Sequence, residues 1–164
     1  MPPKISEIYW TDAFIDEWLR NLDPEQRGKC EKGTLPLMRR HFPEAWLPAM
    51  PATPFGTTDL KDRHVAAGAV HVAPSILITW NVRDFDGAEL SSHGVALQTP
   101  DRFLRRLLDG NPAAVLEFTR QAQTNLRRTA PSWEMYKAIL LKIGLTDFVA
   151  GLEINDARLT GQMK

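Results

Sequence analysis

The segment of residues 59–85 constrains the fold more than any other part of the chain, because a helix pattern leads there directly into a buried strand. From Asp62 to Val72 the sequence is rich in Ala and Gly and stops before Pro74, which is typical of a helix packed closely against a sheet. The apolar, β-branched run Ser75–Trp80 then predicts a buried parallel strand.

The lengths of this helix and strand indicate which side chains meet. A helix of about eleven residues is about 16 Å long, and a strand of about six residues spans about 20 Å. Because the two run antiparallel, the start of the helix and the end of the strand share one edge of the sheet. We therefore expect Asp62 to lie near Asn81 and Asp84. Open α/β sheets bind ligands at that edge, and hard oxygen ligands suit Mg²⁺ or Mn²⁺.

Three segments in order resemble one family. The pattern D-R-H-V-x-A-x-A, then an apolar strand and T-x-N-x-x-D-F, resembles the PIN-domain ribonucleases, a metal-dependent family that includes the VapC-type toxins. Upstream, WTDAFIDEWLRNL resembles the helix that carries an acidic ligand in that family, here Glu17. Downstream, GVALQTPDRFLRRLL resembles its last strand and following helix, and the remainder resembles the helical extension of one subfamily. The resemblance covers roughly residues 8–152.

The resemblance implies an α/β chain with a PIN-like three-layer fold, built on a parallel sheet and followed by a C-terminal helical extension. We expect one domain over residues 1–152, with a core of about 8–110 and helices over about 111–152. Residues 153–164 have few apolar side chains and are expected to be mobile. The implied activity is that of an Mg²⁺- or Mn²⁺-dependent endoribonuclease, the toxin of a toxin–antitoxin pair, whose partners are RNA and an antitoxin.

The same resemblance assigns roles to individual residues. Glu17, Asp62 and Asp84 are expected to bind metal, and Asn81 occupies a place where many PIN domains have a further acid. Four more residues are expected to support these or to contact RNA: Asn21, Asp59, Arg63 and Thr79. His64 is expected to be a packed helix residue, because PIN chemistry needs no histidine.

The sequence departs from the family pattern at its beginning. PIN domains start with a central strand that ends in an Asp, whereas MPPKISEIYW precedes the Glu17 helix without such a strand. The gap would leave backbone groups unpaired inside a parallel sheet, at about 1–3 kcal/mol for each buried amide. Three interpretations stay open: a fragment, a split protein whose first strand and first Asp come from another polypeptide, and a divergent fold. We favour the split protein, in which a strand from a partner or a second copy pairs with Ile76–Trp80.

Cap residues predict the remaining elements. Thr11 precedes a helix with a stripe of Phe14, Ile15, Trp18 and Leu22, and a second helix is expected over about residues 24–41, interrupted at Gly33 and Pro36. Residues 43–59 are expected to form an irregular loop with at most a short strand. The remaining predicted features are a strand over 94–99, helices that begin at Pro100, Pro112 and Ser132, an end at Gly144, and a last turn over 146–152.

Composition narrows the classes of function. The 20 basic and 20 acidic residues give no net charge, so RNA binding needs a local patch. The arginines of the C-terminal half are expected on solvated helix faces. A single cysteine, Cys30, cannot form an internal disulfide, and neither a signal peptide nor an apolar run of about 20 residues is visible. We expect a cytoplasmic protein without membrane contact. The alternative function is an inactive PIN-like module that binds protein or RNA.

Overall fold

The computed structural model describes residues 7–50, 56–127 and 129–161. The chain is mixed α/β, as expected, and mostly helical. It divides into two compact units. The first comprises the described residues up to Leu77 together with 81–97, and the second comprises 78–80 and the described residues from Gln98 onward.

The first unit alternates short strands and helices. Its strands are β1 (Trp10–Thr11), β2 (Trp46–Leu47), β3 (Ser75–Ile78) and β4 (Val95–Gln98), of which the last residues of β3 and β4 belong to the second unit. Its α-helices are α1 (Asp12–Arg20), α2 (Pro24–Lys29), α3 (Leu35–His41), α4 (Arg63–His71) and α5 (Gly87–Ser92). Single turns of 3₁₀-helix cover Pro43–Ala45, Leu60–Asp62 and Val82–Asp84.

Two small parallel sheets form, β1 with β2 and β3 with β4. Trp10 and Thr11 are in register with Trp46 and Leu47. Along β3 and β4, the Ser75 N–H donates to the Gly94 carbonyl at 3.2 Å and the Thr79 N–H donates to the Gln98 carbonyl at 3.0 Å. Within the described residues β3 therefore pairs with β4 alone. The three-layer PIN arrangement stays a prediction.

Helix α4 packs against both sheets through its small residues. A Cβ built on Gly68 would lie 3.6 Å from Thr11 Cγ2 and 3.8 Å from Leu47 Cδ1, which places this face of α4 on β1 and β2. Ala66 and Ala67 are buried in a cluster with side chains of β3, β4, α5 and the turn after β3: Leu77, Phe85, Leu90 and Val95. The close packing predicted from the Ala- and Gly-rich sequence is confirmed.

The two N-terminal helical predictions are confirmed with changes. Thr11 Oγ1 accepts a hydrogen bond from the Phe14 N–H at 3.2 Å and caps α1. The buried side of α1 consists of Ile15 and Leu19, whereas the expected Phe14 is exposed. Between α2 and α3 the backbone widens into a π-helical turn, Cys30–Thr34. Pro36, without an N–H, follows directly and explains why regular α-helical bonding does not continue.

The second unit is helical apart from the strand ends. Its helices are α6 (Pro100–Gly110), α7 (Pro112–Asn125), α8 (Trp133–Lys142) and α9 (Thr146–Gly161). The helices expected to begin at Pro112 and Ser132 are confirmed, and the side chains of Asn111 and Ser132 cap them by accepting backbone N–H bonds. The last turn predicted to end at residue 152 is wrong, because α9 continues to Gly161. Most of the segment expected to be mobile is thus helical, and residues 162–164 lie outside the described residues, as do 1–6, 51–55 and Arg128.

Asp101 ties α6 to the start of α9. Asp101 is 8% exposed, and its carboxylate accepts bonds from the N–H groups of Asp147 at 3.0 Å and Phe148 at 2.8 Å, and from the Thr146 hydroxyl at 3.2 Å. A carboxylate at a helix N-terminus satisfies free N–H groups and matches the helix dipole. The contact orients a helix pair whose core includes the fully buried Leu108 and Leu152. No described helix combines the length and apolar character needed to cross a membrane.

We expect Asp101→Ala to lower the free energy of unfolding by about 2–4 kcal/mol, because it leaves buried N–H groups without an acceptor. Asp109→Ala, on the exposed face of the same helix, removes a carboxylate paired only with Arg105 and is expected to cost less than about 1 kcal/mol. Urea unfolding followed by circular dichroism measures both. Equal losses in the two variants would contradict the role given to Asp101.

Candidate functional site

Three aspartates of the first unit surround one cation. Lys61 Nζ lies 3.9 Å from Asp59 Oδ2, 3.9 Å from Asp62 Oδ2 and 3.6 Å from Asp84 Oδ2. Asp59 and Asp62 lie in the turn directly before α4, and Asp84 lies in the turn after β3. The sequence predicts that Asp62 and Asp84 lie close together, and in the structure both carboxylates lie beside the ammonium group of Lys61. We call Asp59, Asp62 and Asp84 the aspartate cluster.

Backbone hydrogen bonds hold the aspartate cluster in place. The Asp59 N–H donates to the Asp84 carbonyl at 2.8 Å, which joins the start of α4 to the turn after β3. The Asp62 N–H donates to the Asp59 carbonyl at 2.9 Å. Beside them, buried Thr58 accepts a bond from the Asp86 N–H through its hydroxyl at 2.9 Å. The carboxylates therefore converge because their backbones are tied together, even though the side chains carry like charge.

Asp62 is the most shielded member of the cluster. Its side chain is 14% exposed, and Oδ2 is buried without a hydrogen-bond partner. Burial raises the pKa of Asp62 above its ordinary value, and the charges of Asp84, Glu17 and Asp59 raise it further, against the lowering effect of Lys61. A buried carboxylate oxygen that lacks a donor is suited to bind a cation.

Glu17 reaches the same region from α1. Its charge contributes to the raised pKa of Asp62, and its Oε2 lies 3.8 Å from His64 Nε2. That nitrogen is buried and has no hydrogen-bond partner. His64 is packed in α4, as expected, and places an imidazole beside the Glu17 carboxylate.

The other expected site residues are placed less centrally. Asn81 is exposed at the end of the β3 segment, and its carbonyl accepts the Asp84 N–H at 3.1 Å. Asn21 is exposed at the C-terminal end of α1. Arg63 donates from Nε to the Thr58 carbonyl at 3.3 Å and thus supports the loop before α4. Thr79 belongs to the second unit, where its N–H bonds Gln98.

A cleft of about 1000 Å³ opens in the first unit between α1, α2 and the start of α4. Its lining carries both acids and bases: Ala13, Asp16, Glu17, Arg20, Asn21, Arg27, Lys61 and His64. Arg20 Nε donates to the backbone carbonyl of Asp16 at 3.3 Å, and Arg27 pairs with Glu31. Cations therefore line a cleft that also contains Glu17.

Basic residues of the second unit have structural partners. Arg105 pairs with Asp109, and Arg120 pairs with Asp156 at 2.6 Å while its guanidinium lies over the Trp133 ring. These contacts agree with the expectation that the C-terminal arginines lie on helix surfaces.

The aspartate cluster fits a divalent cation by its chemistry. Carboxylate oxygens are the ligands that Mg²⁺ and Mn²⁺ prefer, and Asp62 offers a buried oxygen without a partner. Yet no three His, Cys, Asp or Glu side chains of the described ranges are already spaced to hold a metal ion. The ligand atoms at hand are those of Asp59, Asp62, Asp84 and Glu17.

Sequence reasoning missed Lys61 as part of this site. The signal was its position between Asp59 and Asp62 at a helix start. Candidate metal ligands are acids and amides, so the lysine between two aspartates was not included among the predicted site residues. The cleft arginines Arg20 and Arg27 were missed because helix surfaces commonly carry arginine.

An acidic site on an α/β unit, followed along the chain by a helical unit, is the arrangement expected of the PIN-like class. Residues 100–153 match the family model described as the VapC50 C-terminal domain. Over these residues the chain is similar to a VapC C-terminal domain, which supports the resemblance to the VapC-like PIN toxins. No curated protein and no solved structure gave a match.

The raised pKa of Asp62 predicts a stability effect at this site. An ionised Asp62 destabilises the fold at neutral pH, because its pKa in the folded chain lies above the ordinary value of 3.8. We expect Asp62→Asn to keep or raise the free energy of unfolding at pH 7. The difference from wild type should shrink as the pH falls through the folded pKa and vanish below 3.8, where Asp62 is protonated in both states.

Urea unfolding between pH 3 and pH 7 measures this difference. Asp16→Asn, an exposed carboxylate on α1, serves as the control and should show no such trend. A variant Asp62→Asn that is clearly less stable than wild type at pH 7 would contradict the assignment and indicate a structural role.

Proposed function

We propose that this chain is the toxin component of a toxin–antitoxin system and acts as a PIN-like, Mg²⁺- or Mn²⁺-dependent endoribonuclease. The observation that carries the proposal is the convergence of Asp59, Asp62 and Asp84 on one cation position at the carboxyl end of β3. The VapC-like match over residues 100–153 supports the same family of activities.

Glu17, Asp62 and Asp84 would hold the metal, with Asn81 completing the set and Asp59 beside it. A bound divalent cation lowers the pKa of a water molecule and stabilises charge on the attacked phosphate. The chain itself positions the carboxylates: α4 fixes the position of Asp62, the turn after β3 that of Asp84, and α1 that of Glu17. His64 Nε2, 3.8 Å from Glu17 Oε2, helps to orient that carboxylate.

RNA would lie in the cleft beside α1. The chain has no net charge, so phosphate must be attracted locally. Arg20, Arg27 and Lys61 supply cationic groups along the same cleft that contains Glu17, and arginine binds phosphate oxygens in paired hydrogen bonds. A phosphate held there would sit next to the carboxylates.

We further propose that another polypeptide supplies the missing strand and its Asp. The open edge of β3 supports this, as does the packing of α4 on two separate two-stranded sheets. A parallel strand added to β3 would bring an acid near Asp62 and satisfy free backbone groups. The partner would be a complementing PIN fragment, an antitoxin or a second copy of the chain.

The competing function is an inactive PIN-like module that binds protein or RNA. It is favoured by one observation: within the described part of the chain no three-ligand group is spaced for a metal ion. The two functions differ in Mn²⁺ binding and in cleavage, which can be measured separately.

We expect Glu17→Gln, Asp62→Asn and Asp84→Asn each to reduce Mn²⁺-dependent cleavage of a labelled RNA by about 100-fold or more, because each removes a ligand charge and keeps the side-chain shape. The assay uses the chain alone and together with a candidate partner polypeptide, and unfolding curves show that the variants fold. Asp84→Asn should also relieve growth inhibition when the pair is expressed.

Glu25→Gln, an exposed carboxylate on α2, is the matched control and should retain activity. Wild-type cleavage by Glu17→Gln or Asp62→Asn would refute the metal assignment. Relief of toxicity by Arg127→Ala, with none from Asp84→Asn, would support the binding module.

The open edge of β3 gives a prediction for hydrogen exchange. Ser75 and Thr79 direct their N–H groups toward β4; because strand residues alternate, Ile76 and Ile78 direct theirs to the other edge. We expect the amides of Ile76 and Ile78 to exchange rapidly in the isolated chain and slowly in the active complex. The Leu77 amide faces β4 and serves as the internal control. Unchanged exchange at Ile76 and Ile78 in an active complex would rule out strand addition.

A further inference from the structure

Lys61 is placed as a counter-ion shared by three acids. Its Nζ lies 3.6–3.9 Å from one oxygen of each member of the aspartate cluster. A lysine ammonium carries a positive charge at neutral pH. One positive charge faces three carboxylates, and the cluster retains excess negative charge.

The backbone of Lys61 is fixed while its side chain is free to move away. Its N–H donates to Asp59 Oδ1 at 3.2 Å within the turn Leu60–Asp62. The side chain is 62% exposed, so withdrawal into solvent requires no opening of the core. Exposed ion pairs of this kind contribute little to stability.

The Lys61 ammonium lies beside the carboxylates that a metal ion would bind. Divalent cations bind carboxylate oxygens directly at about 2.0–2.6 Å, which is shorter than the contacts of Lys61 with the aspartate cluster. An ion bound to Asp62 and Asp84 would lie within strong repulsion of Nζ, since like charges at about 4 Å oppose each other even in water. The two cations would therefore compete for the same carboxylates.

We propose that Lys61 is the resident counter-ion of the aspartate cluster and must be displaced when a divalent cation binds, so that this residue sets the metal affinity of the site. The inference rests on the proposed metal-dependent function and adds its regulation. An acid brought by a partner strand would add negative charge, which favours a divalent ion over a single ammonium. Assembly would then promote the exchange of Lys61 for metal.

The test compares Mn²⁺ binding to Lys61→Met, Lys61→Arg and wild-type protein by calorimetric titration. Lys61→Met keeps the length of the side chain without the charge, and we expect it to bind Mn²⁺ about 10-fold more tightly. Lys61→Arg keeps the charge and should stay within about 2-fold of wild type. Lys29→Met, which removes an exposed lysine on α2, is the control and should not change the affinity.

Thermal unfolding provides a second readout without RNA cleavage. Without metal, Lys61→Met should melt close to wild type, because an exposed ion pair contributes little to stability, and Mn²⁺ should raise its midpoint more than that of wild type. Equal or weaker Mn²⁺ binding by Lys61→Met, when wild type binds, would overturn the role of Lys61 and leave the metal site intact. Absence of Mn²⁺ binding by every variant, alone and in the assembled complex, would overturn the metal site and this proposal with it.

Discussion

The packing of α4 is the constraint on which the site depends. Its small residues let the helix lie close to β1 and β2 through Gly68 and enter the core with β3 and β4 through Ala66 and Ala67. A larger side chain on this face would force the helix away from a sheet. Because Asp62 directly precedes α4, any shift of the helix would also move the carboxylate relative to Asp84. The close packing of α4 thus determines the distance between the charged groups of Asp62 and Asp84.

That arrangement works against the stability of the isolated chain. Like charges gather at Asp59, Asp62 and Asp84, and burial raises the pKa of Asp62. The backbone hydrogen bond from the Asp59 N–H to the Asp84 carbonyl holds the two residues together against this repulsion. The fold therefore does not depend on a cation bound between the carboxylates. Asp101 shows the contrast: it is more deeply buried than Asp62, and three donors satisfy its carboxylate. A buried acid with donors stabilises the fold, and one without them is available for a ligand.

The sequence predicted features that depend on local chemistry. Helix caps at Thr11, Asn111 and Ser132 follow from short-range hydrogen bonding, and the meeting of Asp62 with Asp84 follows from matched element lengths. Prediction from the sequence failed where contacts between residues far apart along the chain determine the structure. Asp101 anchors the start of α9 from 45 residues away, and α9 runs past its sparse apolar pattern to Gly161. Lys61 was missed because its partners are assembled only when Asp59 and Asp84 are joined across the fold.

The open edge of β3 lies next to the turn that carries Asp84. The open edge of β3 lacks a strand within the described residues, and the residues that follow β3 lead directly into the turn of Asp84. A parallel strand placed on that edge would end beside the aspartate cluster, because parallel strands end at the same side of a sheet. Backbone pairing would provide the affinity, while the acid at the strand end would change the charge that Lys61 now partly neutralises. Under the proposed function, completion of the sheet and preparation of the site for a divalent ion would therefore be one event.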